Sequence, residues 1–433
     1  MSDTATASQG FTLNLPDWRR DLYEELHARP FPFVQGNAQI SQISCHHDES
    51  GGEGQRRHVQ NLCNLFYLQG PSEDASCFYA QIQDYEFRWE MHTEFSSYTF
   101  IRHESEQQPF HKKAIDALPQ DWLQSIPGDV VSAVHISVMA MPEEKESLDL
   151  LRQNFGDQRL IGSKLGDDHA HVWTSFLTQE DGFSRFLIHN RSLNKCEMGR
   201  VVQRLLEIET YRLFSLLTLP LAKSALCEIN RMDEALCNAV KDIPDINTHA
   251  EEKELLKQLS GFSANIESLR AKINYRSNAT QAYAQLVKKR IQELNEVPHP
   301  GLQTLNDFMA RRFAPAVRTI LSMSDRLDDL STRIDRATDL IRTKVDLEIE
   351  KQNQSLLSSL DDRGQRQYRL QRTVEGLSVV AISYYLVELI KLTVPGTRWL
   401  GLDISPDDVA VFSVPLILTT MIIVSRVVRR KLD

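Results

Sequence analysis

The sequence predicts an α+β protein in three parts: a cytoplasmic α+β head, a long antiparallel helical and coiled-coil region, and a C-terminal two-helix transmembrane hairpin. Three observations predict it. Short runs of alternating apolar and polar residues recur between 37 and 190. From Leu255 onward, apolar residues return at three- and four-residue spacing. Two long uncharged apolar stretches stand near the C-terminus.

Residues 1–36 hold a leader and the segment ELHARPF. The run MSDTATASQGFTLNLP has neither the basic start nor the apolar centre of a signal peptide, so it reads as a flexible leader. In ELHARPF, His27 and Arg29 fall near a helix end, because Pro30 disfavours further helix.

Residues 37–190 form the α+β domain. NAQISQISC reads as a strand, Arg56–Leu68 as a helix, and CFYAQIQD, YEFRWEMH and EFSSYTFIR as three strands. A helix follows over His111–Gln124. Then come a strand (VVSAVHISVMA), a helix (EEKESLDLLRQNF) and three strands (QRLIGSKL, HAHVWTSFLT, FSRFLIHN). This recurrence fits a duplicated unit or one irregular domain. In YEFRWEMH, Tyr85, Phe87, Trp89 and Met91 take one face, and Arg88, Glu90 and His92 the other. A longer strand would add Glu94. Such a row could hold a divalent cation or an anionic ligand; a solvated sheet face with cross-strand pairs is the plainer reading.

Residues 191–245 form a helical connector. Apolar residues cover much of Met198–Val240, so this helix is partly buried. Glu207 and Glu209 with Arg200, Arg204 and Arg212 read as intrahelical pairs before they read as a ligand site. Residues 250–372 are long helices. One carries Leu255, Leu259, Phe262, Ile266, Leu269 and Ile273, and a break follows at Pro298, Pro300 and Gly301. A short helix over Leu302–Arg312 leads to Pro315. Ile320, Met323, Leu327, Leu330, Ile334, Ala337 and Ile341 then make heptads, which loosen through Val345, Ile349, Leu356 and Leu360. The two long helices pair within one chain or between chains. Gly364 is expected to weaken the second.

Residues 374–433 form the hairpin with a basic tail. Gly376–Val387 is uncharged and continues apolar past Glu388. Val409–Ser425 is about 26 Å long as a helix, against a hydrocarbon core of roughly 30 Å. The loop between them holds Pro395, Gly396 and Trp399. Arginines 363, 366, 369 and 372 precede the first stretch, and Arg426, Arg429, Arg430 and Lys431 follow the second. The positive-inside rule puts both termini in the cytoplasm. The lipid bilayer is then a partner; the alternative is a pair of core helices in a soluble domain.

A net charge of −10 argues against nucleic acid as the main partner. A mean hydropathy of −0.35 argues against a polytopic transporter. Six cysteines without a CxxC spacing read as reduced, mostly buried thiols. No P-loop, GxGxxG, HExxH or GxSxG is present. His46, His47 and Asp48 would need distant partners to bind a metal, so no metal and no cofactor are expected. No catalytic residue is assigned. The ligand-binding candidates are His27, Arg29, Arg88, Glu90, His92, Glu94 and Arg185.

Five motifs in order resemble one bacterial family. They are ELHARPF at Glu25–Phe31, Arg88-Trp89-Glu90 with His92-Thr93-Glu94-Phe95, Asp181-Gly182-Phe183-Ser184-Arg185-Phe186-Leu187, Gln203–Arg212, and Gln371–Gly376. The family is uncharacterised, catalogued only as a domain of unknown function, of similar length and with a C-terminal membrane hairpin. The resemblance implies a bacterial protein of the inner membrane and supplies no activity. The expected function is a membrane-anchored, cytoplasm-facing scaffold or regulator with an unknown protein partner and a homo-oligomeric state. The alternative is an oligomeric ion channel of CorA-like layout, although Thr393–Thr397 stands where that group has Gly-Met-Asn. An enzymatic head is a third reading.

Overall fold

The computed structural model describes residues 16, 18–19, 22–23, 29–48, 51–104, 108–143, 147–246, 248–393 and 406–432. Residues 1–15 of the leader, His27 and the loop carrying Pro395, Gly396 and Trp399 lie outside the described residues. The chain divides into two units, Met1–Ala337 and Thr338–Asp433.

The first unit is built on a nine-stranded sheet. Its strands are β1 (Asn37–His46), β2 (Cys77–Ile82), β3 (Tyr85–Met91), β4 (Phe95–Glu104), β5 (Asp129–Ala140), β6 (Ile161–Leu165), β7 (Ala170–Thr174), β8 (Ser184–Asn190) and β9 (Glu296–Pro298). They lie in the order β2-β3-β4-β1-β5-β8-β7-β6-β9. Strand, helix and three strands do recur along the chain. The pairing does not: β1 meets β4 antiparallel, whereas β5 meets β8 parallel. The two three-strand meanders therefore run in opposite senses relative to their first strands.

Alternation along these strands loads both faces. On one face, Ile40, Ile136, Val138, Phe186 and Ile188 pack under Val202, Leu205 and Ile208. These last belong to α4 (Lys195–Leu216), which starts in a capping box made by Asn194 and Glu197. The opposite face carries Tyr85, Phe87, Trp89, Tyr98 and Phe100 beneath Val59 and Leu62 of α1 (Gly52–Leu65). Phe87 and Phe100 stack at 4.9 Å. Burying each such side chain stabilises the fold by about 1.5–3 kcal/mol. A smaller cluster of Leu151, Phe155, Trp173 and Leu187 forms with α3 (Leu148–Gln153).

Helix boundaries differ from expectation where side chains compete for the backbone. The helix expected over His111–Gln124 is only α2 (Gln120–Gln124), with Pro119 at its start. Ahead of it Asp116 accepts from the Lys113 amide at 2.8 Å and closes a turn. Ser147 caps α3 at Leu148, and residues 144–146 of the expected EEKESLDLLRQNF helix lie outside the described residues. The connector is two helices, α4 and α5 (Leu219–Asp242), because Pro220 fits only a first turn. The Pro- and Gly-rich break after α6 (His249–Glu293) contains β9, which pairs with β6.

A single turn of helix, α7 (Leu305–Phe308), passes through a π-helical turn at Met309–Phe313 into α8 (Ala314–Thr393). Gly364 does not break α8. Within the first unit the stripe Ile320, Met323, Leu327, Leu330, Ile334 and Ala337 is at most 3% exposed. It packs in the same chain. Ser277 meets Ser324 at 2.9 Å and Arg270 meets Asp328 at 2.8 Å, so α6 and this part of α8 run antiparallel.

The second unit holds the rest of α8 and α9 (Pro406–Leu432), with Pro415 inside α9. One described helix, Leu305–Thr393, is long and apolar enough to cross a membrane. Its apolar window has a mean hydropathy of 1.5 and is 6% buried. The apolar run in α9 is shorter, Val411–Val424, or about 21 Å. The fold is thus a mixed α+β head with a long helix, and among the described residues one helix, where two were expected, is a candidate span.

Candidate functional site

On the face covered by α4, the sheet changes character between β1 and β3. Cross-strand register sets Arg88 opposite Thr99 and Glu90 opposite Ser97, with Gln42 of β1 beside Thr99. Polar side chains share this half with Phe95, Leu206, Pro30 and Pro32. A cavity of about 280 Å³ lies there, lined on one side by Gln203, Glu207, Thr210 and Tyr211 of α4 and on another by the strap Arg29–Pro32.

The strap is held at several points. Arg29 donates to the Met91 carbonyl at 3.1 Å, and Arg88 donates to the Pro30 carbonyl. Arg200 stands over the Phe31 ring at 5.4 Å. The cavity floor is a hydrogen-bonded row: Gln42 donates to Thr99 at 2.9 Å and accepts from Thr210 at 3.1 Å. Arg88 is 7% exposed, donates to Glu86 at 2.8 Å, and lies 4.3 Å from the Tyr79 ring centre. The Tyr79 hydroxyl donates to Glu90 at 3.1 Å.

Burial governs the electrostatics. It pushes the Glu207 carboxyl up against the opposing pull of Arg290 and Gln203. Burial, with Arg29 and His47 nearby, lowers His92 to about 4, so its imidazole is neutral at pH 7. Tyr79 and Tyr211 are raised, first by burial, and remain protonated. The lining therefore combines guanidinium and carboxylate groups with neutral hydroxyl, amide and imidazole groups. It suits a small polar ligand held by several hydrogen bonds.

Four expected residues, Arg29, Arg88, Glu90 and His92, converge here. Glu94 does not join them. β3 ends at Met91, the His92 amide bonds the Phe95 carbonyl at 2.7 Å, and Glu94 sits in the resulting turn paired with Arg276 of α6. Arg185 lies on the opposite face, 3.4 Å from Asp181 and 5.0 Å from the Phe110 ring centre. Gln42, Thr99, Gln203 and Tyr211 were not foreseen, and Glu207 was read as a ligand group only second to an intrahelical pair.

Arg212 does pair with Glu209 in its own helix, at 2.7 Å. Glu207 instead accepts from Arg290, and Arg204 meets Glu293 at 3.2 Å, both on α6. Such pairs are invisible to helical spacing. His47 bonds the Asp48 carbonyl at 3.0 Å and Ser96 at 3.2 Å. Among the described residues no group of three or more His, Cys, Asp or Glu side chains could hold a metal ion. Cys45 and Cys63 are buried, while Cys227 and Cys237 are exposed, contrary to the mostly buried thiols expected.

A cavity of mixed polar and apolar lining on one face of a mixed sheet, with a long apolar helix in the same chain, defines a class of architecture and not a reaction. The chain matches the family described as "Protein of unknown function (DUF3422)" over residues 16–432, and it belongs to that family. No curated protein matches it.

Proposed function

We propose that the protein is a membrane-anchored regulator or scaffold of the bacterial inner membrane, with its head in the cytoplasm. Its head takes a small polar ligand in the cavity under α4. The observation that carries this reading is the apolar segment of α8, whose 6% burial is unlike that of a soluble core helix. Its place near the C-terminus is unlike that of a signal sequence. α9 serves as a second, shorter membrane helix, and arginines 363, 366, 369 and 372 hold the preceding part of α8 on the cytoplasmic side. Since α8 supplies residues to both units, ligand occupancy in the head has a covalent route to the anchor.

A second reading is an oligomeric ion channel of CorA-like layout. The passage of one unbroken helix from Ala314 to Thr393 favours it. Liposomes reconstituted with the full-length chain and loaded with a divalent-cation dye separate the two. The regulatory reading predicts no cation entry above protein-free liposomes. Entry that saturates with cation concentration would replace it by the channel.

A further inference from the structure

We propose that Ile349–Leu377 of α8 forms a parallel, in-register coiled coil with a second copy of this chain. The stripe stands on its own observations; its parallel sense, and with it the match of Asn353 and Gln367 to their own copies, rests on the anchoring proposed above. In this segment nine positions fall on the a and d places of one heptad frame, and six of them are Ile349, Leu356, Leu360, Leu370, Val374 and Leu377. Of the twenty other positions, only Leu357 and Tyr368 are large and apolar. Helical spacing this selective makes one narrow stripe.

The stripe is open. Exposure runs from 50% at Ile349 to 66% at Leu370 and Leu377, whereas the stripe from Ile320 to Ala337 is at most 3% exposed. Lipid does not cover its first half. Leu356 lies about 30 Å of helix before Gly376, where the uncharged run begins. A row of such leucines in water calls for a protein cover.

Polar complementarity identifies the cover. The seam also contains Asn353, Arg363 and Gln367. In a parallel pair of identical helices Asn353 meets Asn353 and Gln367 meets Gln367. An amide carries both donors and an acceptor and so satisfies its own copy. Arg363 meets itself too, with Asp361 and Asp362 beside it to offset the charge. An unrelated helix would need matching polar residues at the same spacing. Two chains rooted in one bilayer are parallel by construction.

Disulfide formation in native membranes tests the pairing, using the full chain with the exposed Cys227 and Cys237 changed to Ser. Leu356→Cys and Leu370→Cys stand on the seam, and Ser358→Cys and Arg372→Cys on the outer face. Oxidation should give at least fivefold more covalent dimer from the seam positions. Equal yields on both faces, or no dimer from either seam position, overturn the proposal. A mixture of Ile349→Cys and Leu377→Cys chains should not cross-link to each other; efficient linkage overturns the parallel sense. Leu356→Asp with Leu360→Asp should lower the mass of the detergent-solubilised assembly, and an unchanged mass counts against the seam. If seam disulfides form in a detergent-free soluble fraction, the pairing stands and the anchor fails.

Discussion

Gly199 of α4 packs so closely on the strap that a Cβ at this position would stand 1.7 Å from the Pro32 carbonyl oxygen. That contact sets how near the Arg29–Pro32 strap approaches α4, and with it the shape of the cavity. Gly199→Ala should displace the strap and destabilise the head by about 1–3 kcal/mol, less the roughly 1 kcal/mol that alanine contributes to helix propensity. Urea unfolding reads the stability. Hydrogen exchange reads the local effect, and faster exchange at Val34, whose amide bonds the Lys195 carbonyl at 3.1 Å, is expected. Unchanged exchange there would show that the strap does not depend on Gly199.

Glu94 and Arg276 tie the β3–β4 turn to α6, and their side chains are 5% and 18% exposed. Arg276→Leu leaves a buried carboxylate without its cation and should cost about 3–5 kcal/mol. The double variant Arg276→Leu with Glu94→Leu should recover much of that loss, because the stranded charge is gone. A double-mutant cycle by chemical denaturation checks this, and simple additivity of the two changes would contradict it.

His135 gives the head an acid-sensitive centre. It is 2% exposed, bonds Ser41 at 2.8 Å and stacks on Phe183 at 4.0 Å. Asp181 lies 3.9 Å away, with Lys113 and Arg185 around it. Burial lowers its pKa to about 3 against the attraction of Asp181. The unfolded chain therefore takes up a proton near pH 6.5 that the folded chain refuses until about pH 3. Stability is full above pH 6.5 and falls with acidification, by up to about 1.4 kcal/mol per pH unit from this group. His58 and His189, each lowered to about 4 mainly by burial, act in the same direction. His135→Asn should flatten the pH dependence of unfolding between pH 6.5 and 4, and an unaltered slope would remove His135 from the account.

The alternation of Tyr85, Phe87 and Trp89 against Arg88 and Glu90 was readable because a strand has a period of two, and it put Arg88, Glu90 and His92 on the face that lines the cavity. Most of the lining was not readable. Gln42 and Thr99 come from strands far apart in sequence, and their meeting is set by cross-strand register. Glu207 resembled one half of an intrahelical pair, because nothing local points to Arg290 83 residues away. Glu94 was assigned to the polar row because alternation carries no signal for where a strand turns. β9 was missed since three residues ending at Pro298 do not make a period. The heptads of α8 were plain, but a stripe names no partner. One part is covered within the first unit, and the part beyond Ile349 is exposed.

Fractionation of cells expressing the full-length chain tests the membrane anchor most directly. The account predicts that the chain stays in the pellet after washing in high salt and in alkaline carbonate, and leaves it only in detergent. Recovery of the intact, folded chain in the soluble fraction without detergent would contradict it.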